Sequence, residues 1–295
     1  MTDCIGMKKK IGIIKIWIES FELIAKHPII LFPFITAAFL EGLAVEFVYF
    51  SSRKPLVSIF GPIVRKFFGE GYLHYPGHLL LLPNFFYYVQ VVIYVCLGAL
   101  LAGISMNIFK NIKEGLPLKL RALVMNGFKQ YEAFFIYGAI IIAMSLVVKE
   151  VDTFVYVKGF KLILKHLPVN ITKLFYPGLT TILFLTTTFL QALLILYIPL
   201  IVIQKKPILK AFGLSIWMGL VNIFKLFTIV LVPYLLYLPV VLLKIFLPLV
   251  MDKTVPEISL YITGLGIVLA IFVDCFVYVC AGNFLLEKEK NRKVS

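Results

Sequence analysis

Polar positions in this chain are confined to short intervals between long apolar runs. The runs cover about Pro28–Phe50, Leu79–Phe109, Tyr131–Val148, Tyr176–Ile203, Val221–Val250 and Ile258–Leu286. A helix needs roughly 20 mostly apolar residues to cross a bilayer. Each run reaches or approaches that length, and the second is long enough to tilt or project. A β-barrel would show alternating strands of about ten residues instead. The pattern therefore predicts an all-α, polytopic membrane helix bundle of about six transmembrane helices, with residues 1–295 forming a single integral membrane domain. Pro233, Pro239 and Pro248 interrupt the fifth run. They remove backbone donors and predict kinks, which mark a binding site in some transporters and only a packing adjustment elsewhere.

The polar intervals carry a pattern of their own. Lys15, Glu19, Glu22 and Lys26 are spaced 4, 3 and 4 apart, so they form one stripe on a helix. Ile13, Ile14, Ile16, Trp17, Ile18, Phe21 and Leu23 occupy the other faces. This predicts an amphipathic helix lying in the headgroup plane, with Trp17 as an interfacial anchor. Pro28 then breaks its pattern or starts the first span. Similar amphipathic stretches begin at Pro117 and Lys206, and each feeds into a span followed by a return span. The chain reads as three units of in-plane helix, span and return span, a possible threefold internal repeat.

Composition removes the soluble alternatives. Apolar residues make up 61% of the chain and charged residues 15%, against about half and a quarter in soluble domains. The net charge of +14 would point to nucleic acid in a soluble protein. No basic soluble domain is predicted here, so nucleic acid is excluded as a partner. The charge is read as basic loops that set topology and touch membrane lipids, chiefly anionic headgroups at the cytoplasmic face. Lys8–Lys10, Lys15, Lys26, the basic residues from Lys110 to Lys129, Lys205, Lys206, Lys210 and the tail "EKEKNRK" fall on one side. That side outweighs the other in lysine and arginine. The expectation is a multi-pass cell-membrane protein with both termini cytoplasmic, its first helix retained instead of cleaved as a signal peptide. Cys4, Cys96, Cys275 and Cys280 form no CxxC pair and read as small apolar residues.

The stretch "SFELIAKHPIILFPF", Ser20 to Phe34, resembles the opening of a broad group of prokaryotic six-span proteins. That group includes the membrane domain found beside some glycerophosphodiester phosphodiesterases. "LKAFGLSIWMGLVNIFKLF", Leu209 to Phe227, is similar to the later pattern of the same group: a short amphipathic helix with Trp, then Asn, then a span. The resemblance implies six spans across nearly the whole chain. It brings no catalytic residues with it, and the soluble phosphodiesterase domain has no counterpart here.

Ionisable groups inside spans are the best pointers to chemistry, because each costs about 2.5–3.5 kcal/mol at mid-membrane on insertion scales. Glu41 and Glu46 lie in the first span and Asp274 in the sixth. Glu41 and Asp274 both fall roughly 16–20 Å from their cytoplasmic ends at ~1.5 Å per residue. They are candidates for a substrate or proton site between the first and sixth spans. Asp274 also shares a stripe of small and polar residues with Thr263, Gly266, Ala270, Tyr278 and Ala281, which suits close helix packing or structural hydrogen bonds. Glu46 is nearer the outer interface, where it can snorkel. Thr180, Thr187 and Gln191 fall on one face of the fourth span and are candidates for a polar path, or for bonds back to their own helix.

No metal site or cofactor is expected. His74 and His78 have metal-like spacing, but Pro76 between them disfavours the helix that would align them. No phosphate loop, dinucleotide fingerprint or hydrolase motif occurs. Glu41 with Asp274 is the one carboxylate pair available for intramembrane catalysis. Three functional classes remain: a non-catalytic membrane scaffold or assembly factor, a carrier or lipid-handling protein with a mid-membrane acidic site, and, least favoured, an intramembrane enzyme.

Overall fold

A computed structural model describes residues 12–50, 53–74, 79, 86, 89–154, 169–247 and 254–294. The described secondary structure is helical, with no strand among the described residues. Five helices are long and apolar enough to cross a membrane, and a sixth span follows if one bent pair is counted as a crossing. Their outer faces are apolar. Phe39, Phe224 and Phe272 are 65%, 86% and 56% exposed, which in water would be a large uncompensated apolar surface. The protein is a polytopic membrane helix bundle.

Three short helices each lead into a span across a break of one to a few residues. Helix α1, Ile13–Lys26, ends at His27 and passes through a 3-10 turn, Pro28–Leu31, into α2, Phe32–Phe50. Proline suits the first turn because it lacks the donor that would be orphaned there. An amphipathic helix in the following connection, α3, Leu56–Phe68, was not expected from sequence. The second span runs over Val89–Glu114, with a π-turn at Tyr94–Gly98 followed by α4, Ala99–Glu114. It ends at Gly115, whose φ of 66° lies in the left-handed region where glycine is least strained. Helix α5, Leu120–Lys129, breaks at Gln130 before α6, Tyr131–Phe154. The fourth span is α7, Val169–Leu194, continued after a turn by α8, Tyr197–Val202. Helix α9, Ile208–Val221, breaks at Asn222 before α10, Ile223–Leu235, with a bend of 93°. After Pro233 the chain turns and resumes as α11, Leu238–Ile245. Helix α12, Ile258–Val294, is the last span.

The packing is cyclic. Span α2 lies between α12 and α4, α6 between α4 and α7, and α10 between α7 and α12. The three return spans also meet one another, α4 with α12 and both with α8. Each short helix packs on the return span of the preceding unit: α1 on α12, α5 on α4, α9 on α7. The same positions are buried when the breaks at His27, Gln130 and Asn222 are superposed in sequence. Ser20, Leu123 and Ser215 then correspond, and all three are inaccessible. One helical turn further on, Gly127 and Gly219 let the helices touch closely. A Cβ on Gly219 would come within 2.9 Å of the Leu193 Cα on α7.

Local pairs support α1 as predicted. Lys15 reaches Glu19 at 3.4 Å, and Lys26 reaches Glu22 at 3.3 Å. Lys15 also binds Glu287 on α12 at 3.0 Å. That hydrogen bond, the attraction of Glu287 and the nearby Glu19 raise the Lys15 ammonium above its ordinary pKa. Ile14, Ile18 and Phe21 point outward. Trp17 differs from expectation: its ring packs against the core, because α1 turns that face toward the bundle.

The short-helix end of the bundle is the solid end. Residues 99–109 of the second span, 194–202 of the fourth and 279–285 of the sixth are almost continuously buried. Tyr197 stacks on Tyr137 there, at 5.1 Å with 9° between planes, and its hydroxyl donates to the Ala133 carbonyl at 3.1 Å.

Candidate functional site

Above this plug the packing opens into a cavity of about 800 Å³. All six spans contribute to its wall, through residues such as Glu41, Gln90, Tyr137, Gln191, Tyr234 and Asp274. The cavity therefore lies inside the ring. Its floor is aromatic. Phe34 stacks with Tyr278 at 6.1 Å, and the Tyr278 and Tyr137 hydroxyls meet at 3.5 Å. Phe34 and Tyr137 each lie seven residues beyond the break of their own unit, so the repeat presents an aromatic ring at the same depth twice.

Asp274 stands at the centre of the polar network. Tyr234 donates to its Oδ1 at 3.2 Å and Tyr94 to its Oδ2 at 3.3 Å. The two tyrosines arrive from opposite sides of the ring, and each depends on a local break in its helix. Tyr94 begins the π-turn. π-turns shift the register of side chains and recur at functional sites. Two glycines accommodate this one. A Cβ on Gly98 would come within 2.8 Å of the Tyr94 ring, and one on Gly138 of α6 within 3.1 Å of the Val95 carbonyl. Tyr234 lies one residue past Pro233, and Tyr237 lies in the turn that follows. The proline-bearing break thus delivers two tyrosines to the cavity wall.

Glu41, 3% exposed, accepts a hydrogen bond from Gln90 Nε2 at 3.2 Å through its Oε2. Lys244 on α11 lines the same cavity. Tyr237 faces the cavity beside Gly266 of α12, where a Cβ would meet its hydroxyl at 3.0 Å.

The structure thus brings Glu41, Asp274 and Gln191 to one cavity. Thr187 does not join them: its hydroxyl donates to the Leu183 carbonyl at 2.9 Å, and it borders a small neighbouring pocket with Ser145 and Gln191. The Thr180 side chain lies outside the described residues. Glu46 is exposed on the outer face of α2. Gln90, Tyr94, Tyr137, Tyr234, Tyr237 and Lys244 were not singled out from sequence. Tyrosine adjoining proline in the fifth span was the one usable signal. Tyr278 had been placed on the Asp274 stripe, and it does reach the cavity.

Among the described residues no group of three His, Cys, Asp or Glu side chains gathers as a metal site. His78 lies outside the described residues. Cys96, Cys275 and Cys280 are free thiols. The arrangement can hold an amphipathic molecule: most of the wall is aliphatic or aromatic, and the polar groups converge on two carboxyls. No protein-family model matches the chain, and no curated protein or solved structure is similar to it. The fold and cavity define the class, a multi-span helical membrane protein with an intramembrane chamber.

Proposed function

We propose that this chain is an intramembrane binding protein of the carrier or lipid-handling class, with its ligand held in the central chamber. The chamber carries the proposal. Ligand sites typically occupy about 300–1,000 Å³, with mostly apolar walls and a few convergent polar groups. A scaffold needs no such space, and an empty volume in lipid costs the packing contacts that hold helices together. An enzyme would need a nucleophile with its base or a spaced acid pair, and Asp274 is instead engaged by two tyrosine hydroxyls.

Orientation belongs to the same proposal. The short-helix end carries Lys15, Lys26, Lys110, Lys119, Lys129, Lys205, Lys206 and Lys210, which favours that end in the cytoplasm and in contact with anionic headgroups of the cell membrane. The packed plug would then close the chamber toward the cytoplasm, with Gln90 and Lys244 toward the other face. Kinship with the six-span proteins that Ser20–Phe34 resembles is also part of the proposal, supported by the span count and the paired helices.

The test is native mass spectrometry of protein released from nanodiscs, comparing wild type with Ala270→Phe, which fills the chamber from α12. A specific adduct on the wild type that is lost from the filled, folded variant is the expected result. Equal adducts on both proteins would refute chamber binding and leave the scaffold reading.

A further inference from the structure

We infer that the chamber's ligand bears a positive charge: it is an amphipathic organic ammonium, with Asp274 as its counter-ion. This rests on the chamber being a binding site and goes on to name what it binds. Three formally charged side chains line the wall: Glu41, Asp274 and Lys244. Their formal charges leave one negative charge in excess, and no ion pair to Asp274 occurs among the described residues. A charge in hydrocarbon is retained only when it is paired or well hydrogen-bonded. Both oxygens of Asp274 accept tyrosine hydroxyls, an arrangement that stabilises a carboxylate and fixes its direction. One negative charge is therefore left over for the ligand to balance.

The surroundings select the kind of cation. Tyr94, Tyr137, Tyr234, Tyr237 and Tyr278 face the chamber. Ring faces attract ammonium groups by about 0.5–2 kcal/mol each, more when desolvated. A small metal ion would instead need several oxygen ligands at short range, and the volume far exceeds one. The aliphatic remainder of the wall, with Ala38, Ile141, Val230 and Ile271, suits an alkyl body. An ammonium headgroup on a lipid and a free alkylamine share this chemistry.

The experiment uses the full chain in neutral maltoside micelles with four probes of equal chain length: octylammonium, octyltrimethylammonium, octanol and octyl sulfate. Saturable binding is followed by calorimetry and by thermal stability. The two cations are expected to bind and stabilise the wild type, and to bind Asp274→Asn at least tenfold more weakly. Lys244→Met should bind them several-fold more tightly, since it removes a like charge without touching Asp274. This second variant keeps the test decisive if Asp274→Asn fails to fold.

Octanol or octyl sulfate binding as well as the cations, with that binding lost in Ala270→Phe, would overturn the ammonium assignment while preserving the chamber as a site. Binding of no probe, or binding indifferent to Ala270→Phe, would overturn both. Nanodiscs containing phosphatidylethanolamine or only phosphatidylglycerol separate the sources. Retention of phosphatidylethanolamine by wild type marks a lipid headgroup. Binding of octylammonium without such retention marks a free amine.

Discussion

The contact that closes the ring can be tested by a double-mutant cycle. Asn283 on α12 donates through Nδ2 to the Ser20 hydroxyl on α1 at 2.8 Å, across 263 positions of sequence. Both residues are buried, at 4% and 0% exposure. Ser20→Ala removes the acceptor and leaves a buried amide donor unpaired, which costs about 1–3 kcal/mol in general. Pairs within membrane bundles run lower, averaging about 0.6 with a maximum near 1.7 kcal/mol. The Ser20 site lies in the packed short-helix end, so water cannot readily replace the lost partner. A loss of about 1–2 kcal/mol is therefore expected. Asn283→Leu leaves Ser20 unpaired at similar cost, while the double variant replaces both partners by apolar groups. The double variant should recover to near the wild type, because matched removal of both partners is close to neutral, so the coupling equals the two single losses together, about 2–4 kcal/mol. Denaturant unfolding in micelles, followed by circular dichroism, measures all four proteins. Single effects that add within about 0.5 kcal/mol would refute the reasoning, since independent sites behave that way.

Gly219→Ala should destabilise by about 1–3 kcal/mol, because its Cβ would meet backbone atoms of Leu193 that cannot move aside. Gly213→Ala on the same helix meets nothing within 4 Å and should be neutral or stabilising by up to about 1 kcal/mol in the same unfolding assay. Gly98→Ala should push the Tyr94 ring off Asp274 and weaken octyltrimethylammonium binding about tenfold, the equivalent of one hydrogen bond near 1.4 kcal/mol, read by calorimetry on folded protein. The raised pKa of Lys15 fixes the sign of a pH effect. Its contribution is fully present below the ordinary lysine value of 10.5 and is lost as pH rises through the higher folded-state value. Melting curves of wild type and Lys15→Gln should thus keep a constant offset from about pH 6 to 9 and converge only at strongly alkaline pH.

The spans and the short helices that precede them were legible because they are written locally. Apolar length declares a crossing, and the 4, 3, 4 spacing of Lys15, Glu19, Glu22 and Lys26 declares a helix with two unlike faces. Counting residues at a fixed rise put Glu41 and Asp274 at one level, and both line the chamber. Other features were not written locally. Apart from Glu41 and Glu46 on α2 and the Asp274 stripe on α12, these spans are apolar all round, since lipid is as greasy as the bundle interior. Beyond that stripe nothing local says which face looks inward, so the sequence could not say that Tyr94, Tyr137, Tyr234 and Tyr237 converge on it. Only the cyclic packing decided that, by setting each first span between two return spans. Nor could the threonines of the fourth span be told apart. Packing turned Gln191 toward the chamber and left Thr187 bonded to its own helix. The breaks that aim Tyr94 and Tyr234 at Asp274 belong to both levels. Pro233 announces one of them, while the π-turn arises where Gly138 of α6 lets a neighbouring helix approach, a contact that exists only once the chain has folded.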